Sequence, residues 1–228
     1  MWPDPISYTK AMRFTKIYDR DPLWQAQLAM VGAIVLQFLL PDRFLGDSKS
    51  VVIIAEVVLL LGLIFTTPRE PIFRSLRRRI NVVALIGMVG IANIVTLERL
   101  VHFLLQGGKI TDGHQLILAA VNIFLTNVII FGLLYWEIDG GGPGQRRGRK
   151  NNERDFLFPQ MESPGFAPKN WMPTFPDYLY VSVTNATAFS PTDTMPLTRA
   201  VKLLMAVQAT ASLITIALVA ARAVNILS

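Results

Sequence analysis

The chain has 228 residues, 52% hydrophobic and only 17% charged, with a positive mean hydropathy. That is little charge for a soluble domain of this length, and several runs approach the ~20 apolar residues that cross a bilayer. The absence of cysteine excludes disulfides, thiolate zinc sites and cysteine nucleophiles. The net charge of +6 reads as basic flanks facing anionic lipid, because no basic helix or stacking motif argues for nucleic acid.

Residues 1–23 mix Trp2, Tyr8, Phe14 and Tyr18 with Lys10, Arg13, Lys16 and Arg20. A short interfacial helix and a plain basic, aromatic anchor both fit, and the anchor is the simpler reading. No small-residue cleavage site follows the first apolar run, so that run reads as a retained span.

Residues 24–105 read as a three-span membrane bundle, with spans at 24–40, 51–67 and 80–105. The first two end at Pro41 and Pro68, and the third at Gly107-Gly108. At 1.5 Å per residue the third span is about 39 Å long, so it must tilt or leave the hydrocarbon. A fourth span covers 115–136 and a fifth runs from about Arg199 to Asn225. Between them lies the one long polar insert, 137–178. Its Gly-, Arg- and Asn-rich first part, 140–152, reads as a flexible exit. Its second part carries seven aromatic residues through Tyr180 and reads as an irregular cap at the interface.

The fold class expected is therefore all-α: a polytopic integral membrane protein with five transmembrane helices and a re-entrant or interfacial segment before the last. On that threading the head, the 68–79 loop and the 137–197 segment share one side and hold fifteen Lys/Arg, against three in the opposite loops. The positive-inside rule places the amino terminus in the cytoplasm of a multi-pass plasma-membrane protein.

Ahead of the last span, Leu179-Tyr180-Val181-Ser182 leads through a polar turn to Asp193, Pro196 and a long apolar helix. A segment that dips into a membrane and returns is tolerated only where protein or water satisfies its backbone. Together with the fourth span, residues 115–225 resemble the pore domain of the potassium channel superfamily: outer helix, pore loop, inner helix. The resemblance implies a homo-oligomer, a tetramer if channel-like. It places Thr187, Ser190, Pro191, Thr192 and Asp193 at the pore loop. The family's filter glycines are replaced by Ser190 and Thr192, and Pro191 fixes φ near −65°. A ring of backbone carbonyls selective for potassium is therefore not expected. The family's orientation is also the reverse of the one the basic residues favour. A plainer reading makes the stretch a surface loop, with Thr192 or Asp193 capping a helix and Pro196 in its first turn.

Six polar residues fall within spans: Glu56, Glu98, Arg99, His102, Asn122 and Arg222. Antiparallel threading puts all six in one leaflet third. Two readings compete: Glu56, Glu98 and His102 as a proton or cation relay tuned by Arg99, or, the simpler one, a structural Glu56–Arg99 pair joining the second and third spans while Arg222 and His102 snorkel to the interface. No metal set, cofactor motif or catalytic triad is visible, so the expectation is a non-enzyme. The function expected is a channel-like pore for ions or small polar solutes in contact with the lipid bilayer, lined by Gln208, Thr210, Ser212 and Thr215. The alternatives are a proton-coupled secondary transporter and a non-transporting scaffold or sensor.

Overall fold

The structure is a computed structural model, describing residues 23–40, 49–66, 76–105, 113–146, 153–163, 165, 167, 168, 171–188 and 193–227. The amino-terminal anchor, 1–22, lies outside the described residues.

Most described residues are helical: α1 (Leu23–Leu39), α2 (Lys49–Thr66), α3 (Leu76–Leu105), α4 (Gly113–Ile138), α5 (Pro159–Glu162), α6 (Phe175–Ala188) and α7 (Arg199–Leu227). By length and composition three of them can cross a membrane, over Arg79–Phe103, Gln115–Gly141 and Arg199–Ala221. The 17-residue α1 and 18-residue α2 are shorter apolar helices. Their outward faces are apolar as well: Leu28, Phe38, Ile54, Ile91 and Leu203 are each more than 60% exposed. In water such a belt would be an aggregation surface; in hydrocarbon it is the expected exterior. The helices therefore fit a membrane-embedded protein.

The most buried of the long helices is α4, which packs against α1, α3, α6 and α7. In turn α2 rests on α1 and α3. One apolar core joins α1, α3 and α4 to the segment after α4, and a second lies among Leu100, Leu116, Ala119 and Ile123. The only sheet among the described residues is a two-residue antiparallel pair, β1 (Phe156–Leu157) with β2 (Met195–Pro196), in the register Phe156↔Pro196 and Leu157↔Met195. Pro196 thus sits in an edge pairing and not in the first turn of a helix, and α7 starts after Thr198.

The exit of α4 differs from the flexible linker expected. The helix passes into a 3-10 turn at Asp139–Gly141, and Gly140, Gly141 and Gly142 take φ of 58°, 84° and 95°. A side chain at Gly142 would meet the Glu137 carbonyl at 2.9 Å. The glycines reverse the chain tightly and return Arg146 beneath the cap, where it is 1% exposed. Residues 147–152 lie outside the described residues.

Candidate functional site

The site is built on α6. Thr174 caps this helix: its backbone N–H and hydroxyl donate to Asp177 Oδ2 at 2.7 and 2.9 Å. Pro176 occupies the first turn, where no amide donor is needed. The helix therefore starts four residues earlier than Leu179. It runs back along α4: Phe175 meets Trp136 edge-on, Leu179 lies against Gly132, and Ser182 Oγ donates to the Val128 carbonyl at 2.7 Å. Gly132 permits this approach, since a Cβ there would stand 3.2 Å from Leu179 Cα.

After Ala188 the chain returns to the level it left. Strand β2 pairs with β1, and Phe156 of β1 stacks edge-on against both Tyr135 and Tyr178. Both ends of segment 175–196 thus lie at the exit of α4. At 1.5 Å per residue, the 14-residue helix reaches about 21 Å from that level.

Two polar clusters hold this hairpin. The deeper one is centred on Gln208 of α7. Its Oε1 accepts from Tyr135 (2.7 Å) and Asn185 (2.8 Å), and its Nε2 donates to the carbonyl and hydroxyl of Ser182 (3.0 and 2.6 Å). One turn on, Asn127 Nδ2 donates to Ser212 Oγ at 2.9 Å. Gln208, Ser212 and Thr215 share one buried face of α7, whereas Thr210 is exposed. The polar residues expected to line a lumen are thus mostly spent binding α7 to α4 and α6.

The second cluster lies at the α4 exit. Asp139 is fully buried; its Oδ1 accepts from the amides of Asp155 (2.8 Å) and Phe156 (3.1 Å), and its Oδ2 from the Tyr178 hydroxyl (2.5 Å). Arg154 Nη1 stands 3.9 Å from Asp139 Oδ2. Arg146 donates to the Tyr178 hydroxyl and to the carbonyls of Trp136 and Pro173, and its guanidinium lies 4.7 Å from the Tyr178 ring centre. Burial pushes the Tyr178 hydroxyl well above the usual phenol range, opposed chiefly by Arg146, so it stays a donor. Asp155 completes the latch, accepting from Gly140 N and from the Thr198 hydroxyl at the start of α7.

No family model, characterised protein or solved structure matches the chain.

Of the pore-loop candidates, Thr187 is exposed on the last turn of α6, its hydroxyl donating to the Val183 carbonyl at 2.8 Å, and Asp193 is exposed before β2. Ser190, Pro191 and Thr192 lie outside the described residues. Of the six residues within spans, Glu56 and Asn122 are turned to separate partners on α1. Glu56 is fully buried, and its carboxylate oxygens lie 2.7 and 2.9 Å from the Gln37 side-chain amide. Asn122 donates to the neighbouring Leu36 carbonyl at 2.5 Å. Glu98, Arg99 and His102 are exposed on α3, while Arg222 falls in α7 with its side chain outside the described residues.

The Glu56–Arg99 pair is therefore corrected to Glu56–Gln37. The other end of the Gln37 side-chain amide lies 3.4 Å from the Val89 carbonyl, which sets Glu56 near the depth of Val89. Arg99 is ten residues further along α3, about 15 Å. The mismatch arises because α3 extends well past α2 at that end. Sequence reasoning missed Gln37, Asp139, Arg146 and Arg154. Only Asp139 stood beside an apolar helical run as a charged signal; Arg146 and Arg154 fall in the polar insert, where nothing in the sequence separates a buried arginine from a solvated one.

Proposed function

We propose that this chain is a five-span plasma-membrane protein whose carboxyl-terminal half forms a channel-like pore for ions or small polar solutes. Several copies assemble it, four if the potassium-channel-like arrangement holds. The observation that supports this is the hairpin 175–196. A helix of about 21 Å is too short to cross ~30 Å of hydrocarbon, yet it enters beside α4 and the chain returns to the same end. Irregular backbone at membrane depth belongs beside protein or a water-filled passage. The polar lining then comes from exposed Thr187 of α6 and from Thr210, because Gln208, Ser212 and Thr215 face inward. Ser190-Pro191-Thr192 in place of glycines argues against potassium selectivity.

The purified chain, reconstituted in liposomes, should raise sodium and potassium flux over empty vesicles to similar extents. No flux for any monovalent ion or small solute would overturn the pore. Strong potassium-over-sodium selectivity would overturn the lining argument.

A second reading has its own support: a non-transporting scaffold or sensor. The polar groups around Gln208 and Asp139 are committed to partners within one copy, as in a rigid platform. The flux experiment separates the two. Proton-coupled transport draws no support from Glu56, whose carboxylate faces the Gln37 amide and lies about 15 Å along α3 from Arg99.

A further inference from the structure

A lateral groove of about 270 Å³ opens between α3, α4 and α7. An apolar cavity of ~150 Å³ already accommodates a benzene ring, so this one has room for a length of hydrocarbon. Three polar residues line it, and all are bonded inside the protein: Asn93 to the Ile123 carbonyl, Asn127 to Ser212, and Thr215 to the Ala211 carbonyl. The walls therefore offer an occupant apolar contact only. At Gly87 the α3 wall is notched, since a Cβ there would have nothing within 4 Å.

The groove has a charged end. On α3, Val83, Gly87 and Ile91 line it at intervals of four residues, and the same row continues outward to Arg79. On α7 the lining residues Val207, Ala211 and Thr215 continue outward through Leu203 to Arg199. Both arginines are exposed and form no ion pair among the described residues. Their depths agree. Gly90 lies against Ile130 and Gln208 against Tyr135, so Arg79 and Arg199 both fall near the level of the α4 exit, within a turn or so. A helix end at that level stands at the headgroups, on the side where basic residues predominate.

We propose that this groove is a binding site for an anionic phospholipid. One acyl chain lies along the Val83–Gly87–Ile91 and Val207–Ala211 rows, and the phosphate is met by Arg79 and Arg199. The site rests on the five-span reading but not on the pore. Lipid retention and flux are measured separately, so loss of one leaves the other standing.

The test is native mass spectrometry of the full-length protein in detergent, titrated with phosphatidylglycerol or phosphatidylcholine. Phosphatidylglycerol should be retained at least tenfold better, and Arg79→Gln or Arg199→Gln should each cost about fivefold, for one basic contact near the surface. Gly87→Leu should reduce retention of both lipids by filling the notch. Lys202→Gln is the control: it lies within a turn of Arg199, about 4.5 Å along α7, but on the row of Ala206 and Thr210, away from the groove, and should change nothing. Equal retention of the two lipids, or an equal effect of Lys202→Gln and Arg199→Gln, would overturn the site. A lipid-free dimer would do so too, by making the groove a contact between copies.

Discussion

Tyr178 donates its hydroxyl to Asp139 across 2.5 Å, joining the first turn of α6 to the residue that follows α4, 39 positions earlier. The same hydroxyl accepts from Arg146. One phenol thereby mediates between a buried carboxylate and a buried guanidinium, and fixes the entry angle of the hairpin. Charges buried in this way are stabilising only while every partner is present.

Tyr178→Phe should accordingly destabilise the protein by about 1–3 kcal/mol, since it leaves buried Asp139 and Arg146 each short of a hydrogen bond. Asp139→Asn should cost more, because buried Arg154 then lacks its counter-charge. The double variant should lose less than the sum. Thermal unfolding in detergent measures all three, and additive losses would show that the hydroxyl and carboxylate are not coupled.

Glycines 87 and 132 make a matched pair. A Cβ at Gly132 would press on Leu179 backbone at 3.2 Å, whereas one at Gly87 meets open space. Gly132→Ala should push α6 back from α4 by a few tenths of an ångström and cost about 1–3 kcal/mol, as overpacking does. Gly87→Ala should be neutral or stabilising by up to ~1 kcal/mol, from helix propensity alone. Unfolding midpoints that move the same way for both variants would refute the close α4–α6 approach.

The apolar runs made the long helices legible: 115–136 and 199–225 lie within α4 and α7. Composition suffices there, because hydrocarbon burial tolerates many apolar sequences. The inner packing was less legible. Gln208, Ser212 and Thr215 follow a spacing of four and three, which marks one helix face; adding Thr210 to the set hid it. Gly140-Gly141-Gly142 reads as flexibility in a sequence, but the same glycines are what a tight reversal needs. Only the return of Arg146 onto Trp136 and Tyr178 distinguishes the two, and that contact is tertiary. Gln37 escaped notice because an amide in an apolar run carries no charge to flag it.

The partner of Glu56 gives a direct check on depth. Glu56→Leu should expose Gln37 as an unpaired buried amide and destabilise by about 1–3 kcal/mol. Pairing it with Gln37→Leu should recover part of that loss. Pairing it with Arg99→Gln should be additive within about 0.5 kcal/mol, since the two sites share no partner at ~15 Å. A coupling above ~1 kcal/mol between positions 56 and 99 would instead restore the ion pair.

Orientation is settled by single-cysteine labelling, for which a chain without native cysteine needs no prior replacement. On the five-span threading proposed above, fifteen basic residues on one side against three on the other predict a cytoplasmic hairpin entrance, and with it Asp139 and the arginine pair at the groove. An impermeant thiol reagent applied to intact cells should therefore label Asp47→Cys and spare Ser75→Cys and Gly148→Cys, with all three labelled once the membrane is opened. Potassium channels carry the pore loop on the outer face, and labelling at 148 with protection at 47 would favour that arrangement. The phosphate site would then face the outer leaflet, where less anionic lipid is available to fill it.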